Sequence, residues 1–312
     1  MPWLAACERR LAESVAGHVP GVSVPAQETL AAGGKRVRPL LLFCAAPRSR
    51  EAGDDLVCAA TAVELVHMAT LVHDDLIDGA ALRRGRPTVA QERGSEVAIR
   101  VGDFLFARAF AELTRAGRPA AVQALAAAAL DLSQGEMDQQ RAAHDLQLAE
   151  EAYLARVRRK TASLFSVACR LGALVGGAGV ETQERVAAYG EAVGVAFQIF
   201  DDILDIGGAP AATGKARGTD LRGGTVTLPV IRALRIEPGL ARDVHAAGCG
   251  AAGPDEVEAL CARLATHPGM VSARETALGF VASARVALDG PLDGIDPEPL
   301  LEIADGVVDR YG

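Results

Sequence analysis

Six aspartates in two arrays of identical spacing are the residues most able to do chemistry. Asp74, Asp75 and Asp78 form one Asp-Asp-x-x-Asp array, and Asp201, Asp202 and Asp205 form the other. On a helix, residues i and i+4 share a face with i+1 beside them, so each array offers several carboxylate oxygens to one small region. Oxygen-only ligands suit Mg²⁺, which keeps waters and is commonly shared between carboxylates and substrate phosphates. Dense cations accompany the acids: Lys35, Arg36 and Arg38 behind Gly33-Gly34, Arg83, Arg84 and Arg86 just beyond Asp78, and Arg158-Arg159-Lys160. Strong cations beside strong anions are what a site for metal-bound diphosphate requires, whereas exposed surface ion pairs contribute little. The expected arrangement is two acidic helix ends facing each other across a cavity, bridged by metal and a diphosphate.

The elements that must carry these residues are helices. Residues 60–78 read as one buried helix, apolar at Val63, Val66, Ala69 or Thr70, and Val72 or His73, with Gly79 where a helix C-terminus expects glycine. Residues 193–205 repeat the pattern and are followed by Gly207-Gly208. Carboxylates in a last turn oppose the helix dipole by roughly 0.3–1 kcal/mol each, before their mutual repulsion. Two such unfavourable caps of the same spacing point to a cation that relieves them. Further helices are expected at 3–17, 26–46, 88–116, 119–142, 147–176, 226–247, 254–265, 268–288 and 296–311, about twelve in all. Residues 206–226 form a Gly/Pro/Thr-rich loop that carries Lys215 and exceeds the usual connection length, which favours a lid. No segment alternates as a strand and no repeat of 20–50 residues occurs, so the expected fold is a single all-α domain over residues 1–312.

Composition narrows the function. A chain of 312 residues with 50% apolar content can bury a large core, while a net charge of −8 and 4% aromatics leave neither an electrostatic footprint nor stacking platforms for nucleic acid. The six cysteines are scattered without a Cys-x-x-Cys pair and read as reduced thiols of a cytoplasmic protein. The N-terminus meets charge too soon for a secretory signal, and apolar runs such as 171–180 fall short of the roughly 18 residues of a spanning helix. The expectation is a soluble protein with at most peripheral contact with a membrane.

Seven motifs follow one another in order: Gly34-Lys-Arg-Val-Arg-Pro39, His73-Asp-Asp-Leu-Ile-Asp78, Arg83-Arg-Gly-Arg-Pro-Thr88, Gly135-Glu136, Arg159-Lys-Thr161, Phe197-Gln-Ile-Phe-Asp-Asp-Ile-Leu-Asp205 and Gly214-Lys-x-x-Gly-x-Asp-Leu221. Over residues 30–230 this order resembles the trans-isoprenyl diphosphate synthases, the polyprenyl synthetase family. The resemblance implies a helical bundle of the isoprenoid synthase type around a central cavity, usually as a homodimer. It implies three Mg²⁺ ions held, directly or through water, by Asp74, Asp75, Asp78, Asp201, Asp202 and Asp205. Arg83, Lys160 and Lys215 would hold the allylic diphosphate, and Lys35, Arg38, His67 and Arg84 isopentenyl diphosphate. From the residues alone, His67 has a satisfied core histidine as its alternative. Lys160 and Lys215 would help draw charge from the leaving diphosphate, while the Thr161 hydroxyl and Gln198 amide orient dipoles towards the allylic carbocation. The double bond of isopentenyl diphosphate then attacks, and the released pyrophosphate takes the final proton.

One departure stands out. The family usually places lysine in Asp-Leu-x-x-Gly-Lys-x-Thr, but Asp220-Leu-Arg-Gly-Gly-Thr225-Val-Thr227 has threonine, leaving Arg222 as the nearby cation. Chain length is read from Ala69 and Thr70, about one turn below Asp74, where short-chain members place a bulky aromatic. Small residues there imply an open tunnel and a product of C25 or longer, stopped lower by a side chain such as Phe104, Phe106 or Met137; a geranylgeranyl (C20) product is the alternative. A terpene cyclase would need a second metal motif containing asparagine or aspartate with later Ser/Thr and Glu, which this asparagine-free chain lacks. A non-catalytic subunit of a heteromeric synthase would usually have lost the aspartates.

Overall fold

A helix apolar on every face is stable only when enclosed, and residues 54–77 are of that kind. The computed structural model, which describes residues 2–17, 19–48, 53–208 and 217–309, builds the chain almost entirely from helices. In order they are α1 (Pro2–Val15), α2 (Pro20–Ala31), α3 (Val37–Cys44), α4 (Asp54–Ile77), α5 (Val89–Arg93), α6 (Ser95–Arg115), α7 (Pro119–Arg141) and α8 (Glu150–Val157). A π-helical turn (Arg158–Ala162) leads into α9 (Ser163–Gly176), followed by α10 (Val180–Gly207), α11 (Thr219–Arg222), α12 (Leu228–Ile236), α13 (Ala241–Gly248), α14 (Pro254–Ala265), α15 (Pro268–Ala287) and α16 (Glu298–Asp309). The chain adopts the expected all-α class with one correction: Leu82–Arg83 and Arg86–Pro87 pair as a two-residue antiparallel hairpin where no strand was expected.

The chain divides into two compact units, one of Met1–Leu130, Leu164–Gly190 and Gly290–Leu300, the other of Asp131–Ser163, Glu191–Asp289 and Leu301–Gly312. At the centre of the first lies α4, buried without interruption from Leu56 to Val66, with α6, α1 and α3 packed on it. Gly102 lets α6 approach closely, because a Cβ there would meet the His73 ring at 2.0 Å. By length and composition α4 could cross a membrane, a second correction to the sequence reading. Its enclosure by other helices, and the pairing of its polar Glu64 with Arg36, mark it as a core helix. In the second unit α12 packs against α15, where Arg232 donates to Ser272 O at 2.5 Å and Thr276 Oγ1 at 2.7 Å.

Several expected helices are split at residues that explain the break. The span 88–116 divides at Gly94 (φ 86°) into α5 and α6, and 226–247 divides at Pro238. The span 26–46 divides into α2 and α3 around the Gly33-Gly34 turn, and α2 begins early because Pro20 suits a first helical turn.

Candidate active site

The first acidic array ends α4, in the first unit. Asp78 is the C-cap and exposed, Gly79 follows at φ 61°, Asp74 is half-buried and Asp75 is buried. The dipole conflict expected there is offset by Arg83, whose Nε donates to Asp75 Oδ1 at 2.7 Å. Arg83 reaches it from the hairpin, whose loop residues Arg84 (φ 52°) and Gly85 (φ 74°) both take positive φ, as a type I′ turn demands. Thr88 closes the loop: its hydroxyl donates to Ala80 O at 2.7 Å and accepts from Gln91 N at 3.1 Å, capping α5.

Above this end of α4 lies a cavity of about 220 Å³, lined among others by Arg36, His67, Asp75, Arg83, Arg84 and Arg86. Burial, together with the positive charge of Arg38, Arg84, Arg83 and Arg36, holds the His67 imidazole well below its ordinary pKa, so it is neutral at physiological pH. Arg84 is likewise pushed down, by burial and then by Arg36 and Arg83. The lining also carries Glu28, Glu64 and Glu92, and Arg36 and Arg83 are each paired with a carboxylate, so an anion would meet chiefly Arg84 and Arg86 beside the neutral imidazole. His67, Arg83 and Arg84, three of the anticipated phosphate ligands, line this cavity. Lys35 and Arg38 are not among its lining residues: Lys35 is exposed on the preceding turn, and the Arg38 guanidinium lies 4.7 Å over the Phe165 ring. Below them Ala69 has no exposed surface, and half-buried Thr70 donates to His67 O at 2.9 Å. The Phe106 ring sits 6.0 Å from that of His73.

The second array belongs to α10, in the second unit, and is held differently. The π-helical turn at Arg158–Ala162 inserts an extra residue into a long helix, a device that often re-aims side chains at functional sites. Gly135 of α7 packs directly on its backbone, where a Cβ would come within 2.5 Å of Lys160 N. Lys160 forms an ion pair with Glu136, the neighbour of that glycine. Thr161 Oγ1 donates to Gln198 Oε1 at 2.7 Å, Gln198 Nε2 to Asp202 Oδ1 at 2.9 Å, and Tyr153 Oη to Asp202 Oδ2 at 2.6 Å. Thr161 and Gln198, anticipated separately, are therefore one chain of hydrogen bonds ending on a carboxylate. Asp202 is buried, and burial pushes its carboxyl up to about 7 in spite of those donors. Asp205 accepts from Thr219 N and Asp220 N, both at 3.0 Å, and is also raised by burial. Asp220 is raised well above the usual range by burial and by Asp202 and Asp205. Thr225 contributes its backbone N–H to Asp220 O at 2.9 Å, while Arg222 donates to Arg217 O and lends positive charge to Asp205. Lys215 lies outside the described residues.

Sequence reasoning missed Tyr153, Glu136 as the partner of Lys160, and the Arg36–Glu64 pair. Tyr153 carried no local signal, because its hydroxyl's partner lies 49 residues away.

Acidic helix ends and a cationic cavity on an all-α scaffold define the helical enzymes that handle prenyl diphosphates, and solved structures of this shape agree. The fold is similar to that of a decaprenyl diphosphate synthase from Rhodobacter capsulatus (TM-score 0.90, 36% identity, covering 100% of this chain and 97% of that one). It is also similar to a polyprenyl synthase from Caulobacter crescentus complexed with calcium and isoprenyl diphosphate (TM-score 0.92, 34% identity, 100% and 95%). In sequence the chain is 42% identical over 234 residues to heptaprenyl diphosphate synthase component 2 of Geobacillus stearothermophilus, covering 75% of this chain and 73% of that one. It is 39% identical over 284 residues to the nonaprenyl diphosphate synthase of Mycobacterium tuberculosis, covering 90% and 84%. The polyprenyl synthetase pattern matches residues 20–261, wider at both ends than the motifs that first suggested it. The chain belongs to the polyprenyl synthetase family and is a prenyltransferase.

Proposed function

We propose that this chain condenses isopentenyl diphosphate with an allylic diphosphate to give a trans-polyprenyl diphosphate of C25 or longer, its two units acting as one catalytic domain. The observation that carries the reading is the cavity beside Asp75, where a neutral His67 stands among Arg83, Arg84 and Arg86. Fixed cations of that density suit a diphosphate, and the adjoining carboxylate suits one that arrives with a divalent metal.

The donor set fits Mg²⁺. Both arrays offer oxygen alone, and burial raises the Asp202 carboxyl in spite of its two donors and the charge of Arg156, a penalty that a bound cation would relieve. Among the described residues no three carboxylate, imidazole or thiol groups converge as a ready-made cage, so water and phosphate oxygens would complete each shell. Asp74, Asp75, Asp78, Asp201, Asp202 and Asp205 would hold the ions, three by family resemblance. Bound Mg²⁺ supplies charge withdrawal from the leaving diphosphate. Arg83, Lys160 and Lys215 add fixed positive charge to that leaving group, Arg83 by exchanging Asp75 for a phosphate oxygen and Lys160 by exchanging Glu136. Thr161 and Gln198, locked to each other and to Asp202, hold their dipoles towards the carbocation at no reorganisation cost. Lys35, Arg38, His67 and Arg84 bind isopentenyl diphosphate, His67 as a neutral hydrogen-bonding group.

Small residues at Ala69 and Thr70 support a long product, as do relatives named for heptaprenyl, octaprenyl and nonaprenyl diphosphates. A geranylgeranyl diphosphate synthase from Methanosarcina mazei at 35% identity keeps C20 as the less favoured alternative. The six free cysteines suit a cytoplasmic setting. We also propose a homodimer, supported by exposed Ile99 of α6 and Leu130 of α7; light scattering that finds a monomer at micromolar concentration would contradict it. Two relatives named as component 2 of heptaprenyl diphosphate synthase favour a second reading, in which the chain is the catalytic member of a two-protein enzyme. The test is to supply isopentenyl diphosphate, farnesyl diphosphate and Mg²⁺, then separate the dephosphorylated products by chromatography. Products of C25 and above are expected, products stopping at C20 overturn the chain-length reading, and no incorporation by the chain alone favours the second reading.

A further inference from the structure

Between Lys35 and Arg38, both assigned to phosphate, stands a third cation that does something else. Arg36 takes left-handed backbone angles (φ 49°, ψ 38°) at the N-cap of α3, which turns its side chain away from its neighbours. Its Nη1 donates to Glu64 Oε1 at 2.9 Å and its Nε to Glu8 Oε1 at 2.6 Å, with Nη2 reaching Glu8 Oε2 at 3.4 Å and Leu30 O at 3.5 Å. One guanidinium thus joins α1, the end of α2 and α4 to the turn that begins α3. Glu64 is buried and lies one turn before His67 on α4. Gly34 leaves room for the same arrangement: a Cβ there would meet Arg36 Nη1 at 2.9 Å and Arg84 Nη1 at 3.2 Å. Gly34 therefore sits against two guanidinium groups that both line the cavity, of which that of Arg36 is clamped by carboxylates.

We infer that Arg36 is a positioning residue for isopentenyl diphosphate, fixing the turn that presents Lys35 and setting Arg84 and His67 in register with it. The inference rests on the proposed assignment of Lys35, His67 and Arg84 to that substrate. A left-handed arginine is unfavourable by itself and persists only where surroundings over-determine it, as the two carboxylates do here. A flexible point charge could not replace it, because a lysine ammonium reaches one carboxylate but cannot fork to both.

Steady-state kinetics on the full chain test this with Arg36→Met, Arg36→Lys and Lys35→Ala, each first compared with wild type by thermal unfolding. In Arg36→Met the KM for isopentenyl diphosphate should rise about tenfold or more while kcat and the KM for the allylic diphosphate stay within about twofold, the signature of lost ground-state binding of one substrate. Arg36→Lys should fall between. Equal losses towards both substrates, or a KM unchanged in Arg36→Met while Lys35→Ala raises it, would overturn the positioning role. An unchanged KM in Lys35→Ala would overturn the substrate assignment and the inference with it. If Arg36→Met does not fold, Arg36→Lys decides alone: a selective rise in the KM for isopentenyl diphosphate supports the role, and wild-type behaviour refutes it.

Discussion

Asp75 and Asp202 hold the same place in their arrays, the second aspartate of three, and both are buried. Their partners differ in kind. Asp75 meets the Arg83 guanidinium at 2.7 Å, whereas Asp202 is held by a phenol and an amide, neutral donors that leave its carboxyl pushed up to about 7. The difference teaches that one spacing serves two electrostatic states. In the first unit the charge is balanced by a half-exposed arginine on a hairpin. In the second, burial outweighs the two hydrogen bonds and the positive charge of the buried Arg156, so the carboxyl stays raised.

The largest effect should come from removing either array's leading carboxylate. Asp74→Ala and Asp201→Ala are each expected to lower turnover by roughly 10²-fold or more, the scale of a lost transition-state charge partner, with folding intact. Near-wild-type turnover in one of them would mean that the two arrays do not share the reaction. Next come stabilities of opposite sign. Asp75→Asn strips Arg83 of its partner and should destabilise the metal-free protein by roughly 1–2 kcal/mol, discounted for the exposure of that arginine. Asp202→Asn removes a buried charge that Arg156 offsets only in part, at the cost of one acceptor for Tyr153 or Gln198. The folded pKa of Asp202 lies above its unfolded value, so its protonation favours folding at low pH, and that contribution is lost as pH rises through about 7. Thermal unfolding in chelator should therefore show wild type losing ground to Asp202→Asn between pH 4 and pH 8. Parallel curves would show that Asp202 is not perturbed.

A smaller effect separates α4 from its neighbours. Thr70→Phe should shorten the product, as judged by chromatography, because a ring one turn before Asp74 would stand in the path assigned to the tail. At Ala69, with no exposed surface, the same substitution risks an overpacking cost of roughly 1–3 kcal/mol. An unchanged product distribution in Thr70→Phe would mean that the tail does not pass this residue.

What could be read from the chain follows from how local each feature is. Both acidic helix ends were legible because an apolar stripe, the aspartates and a following glycine lie within a few turns. The span 254–265 was legible to its end residues because Pro254 begins it. The hairpin was not, since it spans six residues and its turn places an arginine at positive φ, where glycine, asparagine or aspartate is the usual signal. Nor was the π-helical turn, which no local propensity encodes, or the link from Tyr153 to Asp202. Nor did the sequence show that Arg36, between Lys35 and Arg38, turns to Glu64, or that the buried helix read at 60–78 begins at Asp54 and reaches a span-like length.

The most direct test of the contrast is thermal unfolding of wild type, Asp75→Asn and Asp202→Asn with and without Mg²⁺ plus inorganic pyrophosphate at pH 8. Ligand binding to the folded state raises its melting temperature in proportion to RT ln(1 + [L]/Kd). Wild type should be stabilised by the pair of ligands together, and Asp202→Asn, whose only partly offset charge is gone, should lose more of that gain than Asp75→Asn. Equal stabilisation of Asp202→Asn and wild type, or full stabilisation by pyrophosphate in chelator, would contradict the claim that the second array waits for a cation.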